Sequence, residues 1–299
     1  MPTNAHGNFQ GRRLVVLGAG YVGGAVARSA KLQGMEVTAL TRNAGKAAAL
    51  QAEGIDSVVA DLADQDWHVA MPERVDFVLN AVSSGGGGVE GYRHSYVEGM
   101  KSVIAWARSA RPATLVYTGS TSVYPQDGGV EVDESSSTDP ANERASLLLD
   151  AEQIAQGAAS EDMRVFILRL AGIYGPDRHH LLDQIQAGEV LAGTGEHRLN
   201  LAHLDDIVSA ILKCFEAAPT VVSGVFNVSD DHPVRKHELA AWISGRLGQP
   251  IPRFDPSLTG RRRGVMPDRL VINRKLKNTL GWRPRYPSFR EGYETLLSR

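Results

Sequence analysis

Leu14-Val15-Val16-Leu17-Gly18-Ala19-Gly20-Tyr21-Val22-Gly23-Gly24-Ala25-Val26 joins a short β-branched run to an alanine-rich run with helical spacing, through glycines in the order G-x-G-x-x-G. With 31 glycines in the chain, one such spacing is weak evidence alone. Its context makes it informative, because a strand precedes it, a helix follows it, and a second strand, Glu36-Val37-Thr38-Ala39-Leu40, comes after a stop at Gly34. In that setting Gly18 permits the tight turn, Gly20 lets the backbone approach a pyrophosphate, and Gly23 lets helix and strand pack closely. The unpaired N–H groups at the helix start, around Tyr21 and Val22, add the positive end of the helix dipole, which favours a phosphate.

Outward from this turn the same alternation continues. Ser57-Val58-Val59-Ala60, Asp76-Phe77-Val78-Leu79-Asn80, Thr114-Leu115-Val116-Tyr117 and Arg164-Val165-Phe166-Ile167-Leu168 read as strands with helical stretches between most of them. That rhythm predicts α/β architecture, a Rossmann-type doubly wound parallel sheet. After about residue 172 it breaks into loops, a helix near Asp205 to Ala217, a strand Val225 to Val228 and a helix from about His237 to Leu247. The expected division is a dinucleotide-binding domain over 1–172 and a smaller C-terminal α/β substrate lobe over 173–299, with some segments returning to the core.

A fold that prefers NAD places Asp or Glu about twenty residues beyond the glycine turn, to hold the adenosine ribose. Thr41-Arg42 stands there instead, and a guanidinium pairs well with the 2′-phosphate of NADP. NADP is therefore the favoured cofactor, with NAD the alternative, and Arg42 is the candidate for selectivity. Asp61-Leu62, after the third strand, are candidates for the adenine contact, although Asp at a strand end equally serves as a turn residue.

Composition sets the outer limits. The 299 residues are 42% hydrophobic and 22% charged, which is ordinary for a globular protein. Thirty-two Lys and Arg against 34 Asp and Glu leave a net charge of −2, so no field draws the chain to nucleic acid or to an anionic membrane. No run is apolar enough for a membrane span and the first thirteen residues lack a secretory pattern, so the cytoplasm is the expected location. Cys214 is the only cysteine, which excludes an internal disulfide, and its apolar neighbours mark it as core filler. Nothing points to a metal.

Several ordered motifs together resemble the extended short-chain dehydrogenase/reductases, the NAD-dependent epimerase/dehydratase family. They are Gly18 to Gly23, Asp61-Leu62, Asn80-Ala81-Val82, Thr118-Gly119-Ser120-Thr121-Ser122-Val123-Tyr124, Leu168-Arg169-Leu170-Ala171-Gly172-Ile173-Tyr174-Gly175-Pro176 and the closing stretch Leu276 to Gly292. The resemblance implies a dinucleotide lined by Ala81 and Val82, a substrate often of nucleotide-sugar type, Ser120 as the residue orienting a substrate hydroxyl, and Ser122, Tyr174 and His203 near the substrate.

The same resemblance implies a Tyr and a Lys four residues apart on one helix, where the Lys cation would lower the phenol pKa for proton transfer. Anchoring on Ala151-Glu152 puts Arg144 and Leu148 at those two positions, and no Lys occurs between Lys101 and Lys213. Tyr96 likewise stands where the family often has Asn. The chain thus resembles an atypical member, for which Tyr124 is the candidate replacement phenol. The expected function is an NADP-linked oxidoreductase or epimerase-like enzyme on a sugar or nucleotide-sugar type substrate. The alternative is a dinucleotide-binding regulatory or sensor protein without turnover. His179-His180 read as a solvent-facing pair, Asp205-Asp206 as a helix cap, and Arg261-Arg262-Arg263 either as a diphosphate clamp or as a solvated loop. The resemblance implies pairing through two core helices, here those around Tyr96 to Ala107 and Arg144 to Gln156, whose Ala, Leu and Trp106 content is compatible with a homodimer as well as with a monomer.

Overall fold

The computed structural model describes residues 9–258 and 267–298. The clamp assigned to Arg261 to Arg263 lies outside the described residues. β1 (Arg13–Leu17), α1 (Tyr21–Leu32), β2 (Glu36–Thr41), α2 (Ala44–Ala52) and β3 (Asp56–Val59) form two successive strand–helix–strand units with parallel strands. β4 (Phe77–Asn80) pairs on the other side of β1, then come α3 (Gly88–Tyr92), a π-helical stretch over Arg93–Glu98 and α4 (Gly99–Ala110). β5 (Thr114–Ser120), β6 (Val130–Val132), α5 (Glu143–Gln156), β7 (Arg164–Leu170) and β8 (Gly172–Tyr174) follow. The remainder is α6 (His180–Gln186), β9 (Leu191–Ala192), β10 (Arg198–Leu199), β11 (Leu201–His203), α7 (Leu204–Glu216), β12 (Gly224–Val228), β13 (Val234–Arg235), α8 (Lys236–Leu247), β14 (Phe254–Asp255), β15 (Arg269–Val271), α9 (Arg274–Leu280) and α10 (Phe289–Leu297).

Seven strands make one parallel sheet in the order β12-β7-β5-β4-β1-β2-β3. Sequence order reverses at β1, so the strand ends of β1 and β4 diverge into a crevice, the place where open α/β sheets take ligands. Helices cover both faces, which is why Leu14 to Leu17 are apolar without alternation and all buried. One face packs Val16, Val26, Ala27, Phe166, Ile207, Ile211 and Cys214 together, and the other packs Leu17, Trp67, Met100, Trp106, Leu115 and Ile167.

The C-terminal region does not stay apart from this core. β12 adds the sheet's far edge beside β7, and α7 lies against α1. The smaller lobe is built from α6, α8 and α10 around Leu182, Leu191, Leu239, Ile243 and Phe289. Two short parallel pairs, β8 with β11 and β6 with β15, tie lobe and sheet together. Trp282 anchors the closing segment by donating its indole N–H to Ser209 Oγ at 2.9 Å. No described helix is long and apolar enough to cross a membrane.

Trp106 is buried with its ring 5.5 Å from that of Trp67, and Leu147 and Leu148 are buried too. The outward positions of α4 and α5 carry Lys101, Arg108, Arg144, Asp150 and Gln153, together with exposed Ala105 and partly exposed Leu149 and Ile154.

Candidate active site

The three glycines of the opening turn separate by their surroundings. Gly18 has φ +89°, and a Cβ there would lie 2.7 Å from Val82 N, so both conformation and the approach of the β4 loop demand glycine. A Cβ on Gly23 would lie 2.2 Å from Gly18 O. On Gly20 it would meet nothing within 4 Å. No side chain caps α1 at Gly20, and the helix's first bond runs from Gly24 N–H to Gly20 O at 2.9 Å. The N–H groups of Tyr21, Val22 and Gly23 are thus the free donors of a helix N-terminus beside open backbone, which suits a diphosphate. Val22 contributes only its backbone, since its side chain is in the core.

Tyr21 closes the crevice from one side. Its hydroxyl donates to Pro176 O at 2.7 Å, Arg178 lies 5.4 Å above its ring, and burial raises its pKa to about 12 against the opposing pull of Arg178. At the end of β2, Arg42 sits 3.5 Å from Asp61 and reaches over Gly85, in a run where Gly85 to Gly88 all have positive φ. Asp61 also accepts from Ala63 N–H at 3.0 Å and meets His94 Nε2 at 3.0 Å. Desolvation pushes the Asp61 pKa upward, but the Ala63 bond, His94 and Arg42 outweigh it and hold the carboxyl below its usual range. Ala81 donates its N–H to Leu17 O at 2.8 Å, and Val82 stands against Gly18. Leu62 buries its side chain against Gly99, and its carbonyl accepts from the Trp67 indole N–H at 3.1 Å.

At the end of β5, Ser120 is partly exposed with Oγ 2.9 Å from Ser122 Oγ, and it caps the turn Thr121–Val123 by accepting from Ser122 N–H. Tyr124 departs from the replacement-phenol expectation. Only 1% of it is exposed, its hydroxyl donates to Asn227 Oδ1 at 2.9 Å, and the same oxygen accepts from Arg169 Nη1 at 2.9 Å. Burial raises its pKa despite Arg169. This phenol is a buried strut between β7 and β12.

Tyr174 and His203, the residues expected near the substrate, meet where β8 and β11 pair. Both are buried. Tyr174 stacks on Tyr293 at 4.9 Å and crosses His203 edge-on at 5.2 Å, while His203 Nδ1 caps α7 by accepting from Asp205 N–H at 3.2 Å. They shape the joint between β8, β11 and α10. The cap assigned to Asp205-Asp206 is therefore held by His203, and Asp206 instead accepts from the N–H groups of Arg285 and Tyr286. His179 meets Asp183 Oδ1 at 2.7 Å, and His180 is exposed.

Sequence reasoning missed the buried ion pair beneath the site. Arg169 and Glu152 meet at 2.6 Å with nearly no exposure, and Arg169 passes the contact on to Tyr124 and Asn227. Its signal was an Arg inside the apolar strand Leu168-Arg169-Leu170. Arg144 is exposed with its guanidinium carbon 5.3 Å from the centre of the Tyr92 ring, whereas Leu148 is buried among Val123, Tyr124, Val132 and Val271.

Residues 14–229 match the family model described as the NAD dependent epimerase/dehydratase family. The chain belongs to that family. Among relatives of this family member, Protein YeeZ of Escherichia coli (strain K12) is 26% identical over 282 residues, covering 92% of this chain and 97% of YeeZ. A Streptomyces 3-diazoavenalumate denitrifying reductase is 27% identical over 308 residues, covering 94% of this chain and 98% of the reductase. The fold matches MoeE5 in complex with UDP-glucose and NAD, with TM-score 0.82 at 21% identity over 96% of this chain and 97% of MoeE5.

Proposed function

We propose that this epimerase/dehydratase-family protein is an oxidoreductase or epimerase-like enzyme that uses NADP in preference to NAD and acts on a carbinol or carbonyl carbon of a sugar or nucleotide-sugar type substrate. One observation carries the reading: the uncapped N-terminus of α1, open at Gly20, lies at the sheet edge where β5 ends in the partly exposed Ser120. The reductase relative supports the hydride chemistry, and the UDP-glucose complex of MoeE5 supports the substrate class.

A bound nicotinamide dinucleotide supplies or accepts a hydride. The chain's own part begins with the N–H groups of Tyr21 to Gly23, which hold the diphosphate. Arg42, with half of its side chain exposed, takes the 2′-phosphate by exchanging its 3.5 Å contact to Asp61 for a charge-assisted bond. Ser120 Oγ positions the substrate oxygen, and Ser122 holds Ser120 in orientation. Tyr21 and the loop at Pro176 bound the crevice and exclude water.

Calorimetric titration of cofactor-stripped protein with NADPH and NADH tests this. NADPH is expected to bind more tightly, and Arg42→Ala to remove that advantage. Absence of binding by either nucleotide refutes the cofactor assignment and the enzyme reading with it. The regulatory reading has one observation in its favour, the apolar burial of Leu148 beside the site. Hydride exchange between bound nucleotide and any carbonyl in a broad screen rules it out.

A further inference from the structure

We propose that Tyr92, carried by α3 beside the four-glycine turn, is the phenol that exchanges a proton with substrate, with Arg144 fixed over its ring; this rests on the dinucleotide reading above. All eight tyrosines lie among the described residues, and their surroundings separate them. Tyr117, Tyr124, Tyr174 and Tyr293 are buried. Tyr21 spends its hydroxyl on Pro176 O and Tyr286 on Asp205. Tyr96 is engaged by the backbone of Ser84, and burial raises its pKa. Tyr92 is partly exposed and carries none of these commitments.

Its placement matches the task. The strand before it, β4, lies between β1 and β5, so the chain leaving β4 emerges between the glycine turn and Ser120. The Tyr92 ring packs against the cluster of Val123, Tyr124 and Leu148, immediately beyond the Ser120 turn. Tyr96 supports it at 5.2 Å in the π-helical stretch, an irregular geometry that often marks functional sites. Arg144 covers the ring from α5 at 5.3 Å, and an Arg93–Glu143 pair at 3.7 Å joins the same two segments. A cation held over an aromatic face is attracted by its quadrupole, which fixes the ring's orientation. Arg144 is in this sense a positioning residue.

In carbonyl reduction, Tyr92 Oη–H gives its proton to the carbonyl oxygen as the carbonyl carbon takes a hydride from reduced nicotinamide. The products are the alcohol, oxidised nicotinamide and a phenolate, which takes a proton back from water.

The test uses the whole chain. N-acetylimidazole, which acetylates accessible phenols, is applied with and without saturating NADPH, and modified peptides are quantified by mass spectrometry. Tyr92 is expected to be acetylated in the free protein and protected at least about tenfold by NADPH. An unchanged rate at Tyr92 overturns the proposal. Tyr92→Phe is expected to keep NADPH affinity within about twofold while slowing hydride exchange, on any carbonyl the wild type reduces, by about 100-fold or more. Tyr293→Phe, a buried phenol of the lobe core, is the control that retains exchange. Exchange by Tyr92→Phe at the wild-type rate overturns the proposal while leaving the dinucleotide reading intact, whereas a wild type that binds no NADPH in calorimetry fails both, at a separate step.

Discussion

Gly20 and Gly23 sit three residues apart in one turn, and adding the same methyl group to each is expected to damage different properties. At Gly23 the new Cβ falls 2.2 Å from Gly18 O and 3.1 Å from Val16 Cγ1. Carbon–oxygen contacts settle near ~3.3–3.6 Å, so helix and turn must part by about 1 Å. Such overpacking costs about 1–3 kcal/mol after a smaller helix-propensity gain. In a chain of 299 residues that lowers Tm by roughly 2–6 °C. At Gly20 the Cβ has nothing within 4 Å, so Gly20→Ala is expected to melt within about 1 °C of wild type. What it obstructs is the approach of a diphosphate to the N–H groups of α1. Losing one charged hydrogen bond of ~1.5–3 kcal/mol weakens NADPH binding by about 10- to 150-fold. Differential scanning calorimetry and binding titration on both variants measure the two effects. A Gly20→Ala protein that melts as early as Gly23→Ala, or binds NADPH within twofold of wild type, refutes the assignment of Gly20 to ligand approach.

Three further outcomes follow from the same geometry. Arg42→Ala is expected to weaken NADPH about tenfold or more with little change for NADH, measured by titration at fixed ionic strength. Tyr124→Phe strands Asn227 Oδ1 and Arg169 Nη1 in the interior; denaturant melts should show a loss of about 1–3 kcal/mol, with hydride exchange changed less than threefold. Burial pushes the pKa of Asp206 up to about 6, against the N–H groups of Arg285 and Tyr286 that favour its ionised form. With the folded pKa above the unfolded one, this carboxyl's contribution is complete below about pH 4 and disappears as pH rises through 6, an effect on the order of 3 kcal/mol. Stability curves across that window should lose this slope in Asp206→Asn, and an unchanged slope counts against Asp206 as its source.

Much of the architecture was legible because it depends on local periodicity and backbone conformation. Leu14 to Leu17, the turn from Gly18 and the alternation of later strands and helices announce a parallel sheet, and Gly18 shows why: its φ of +89° is a demand on the backbone that sequence records directly. Ser120 was equally legible, since its place at a strand end follows from the strand itself. Tyr124, Tyr174 and His203 were not, because a motif records residue type and order while burial depends on partners far along the chain. Tyr124 reaches Asn227, 103 residues away, and Tyr174 stacks on Tyr293. The pairing of Arg169 with Glu152, the return of β12 to the sheet and the meeting of Arg144 with Tyr92 are of the same kind. The sequence by itself determined which segments become strands, helices and the glycine cradle, since those follow from neighbours within a few residues. Only the tertiary structure decided which side chains face the crevice and which are sealed beneath it, because that choice is made by packing between segments that no local pattern connects.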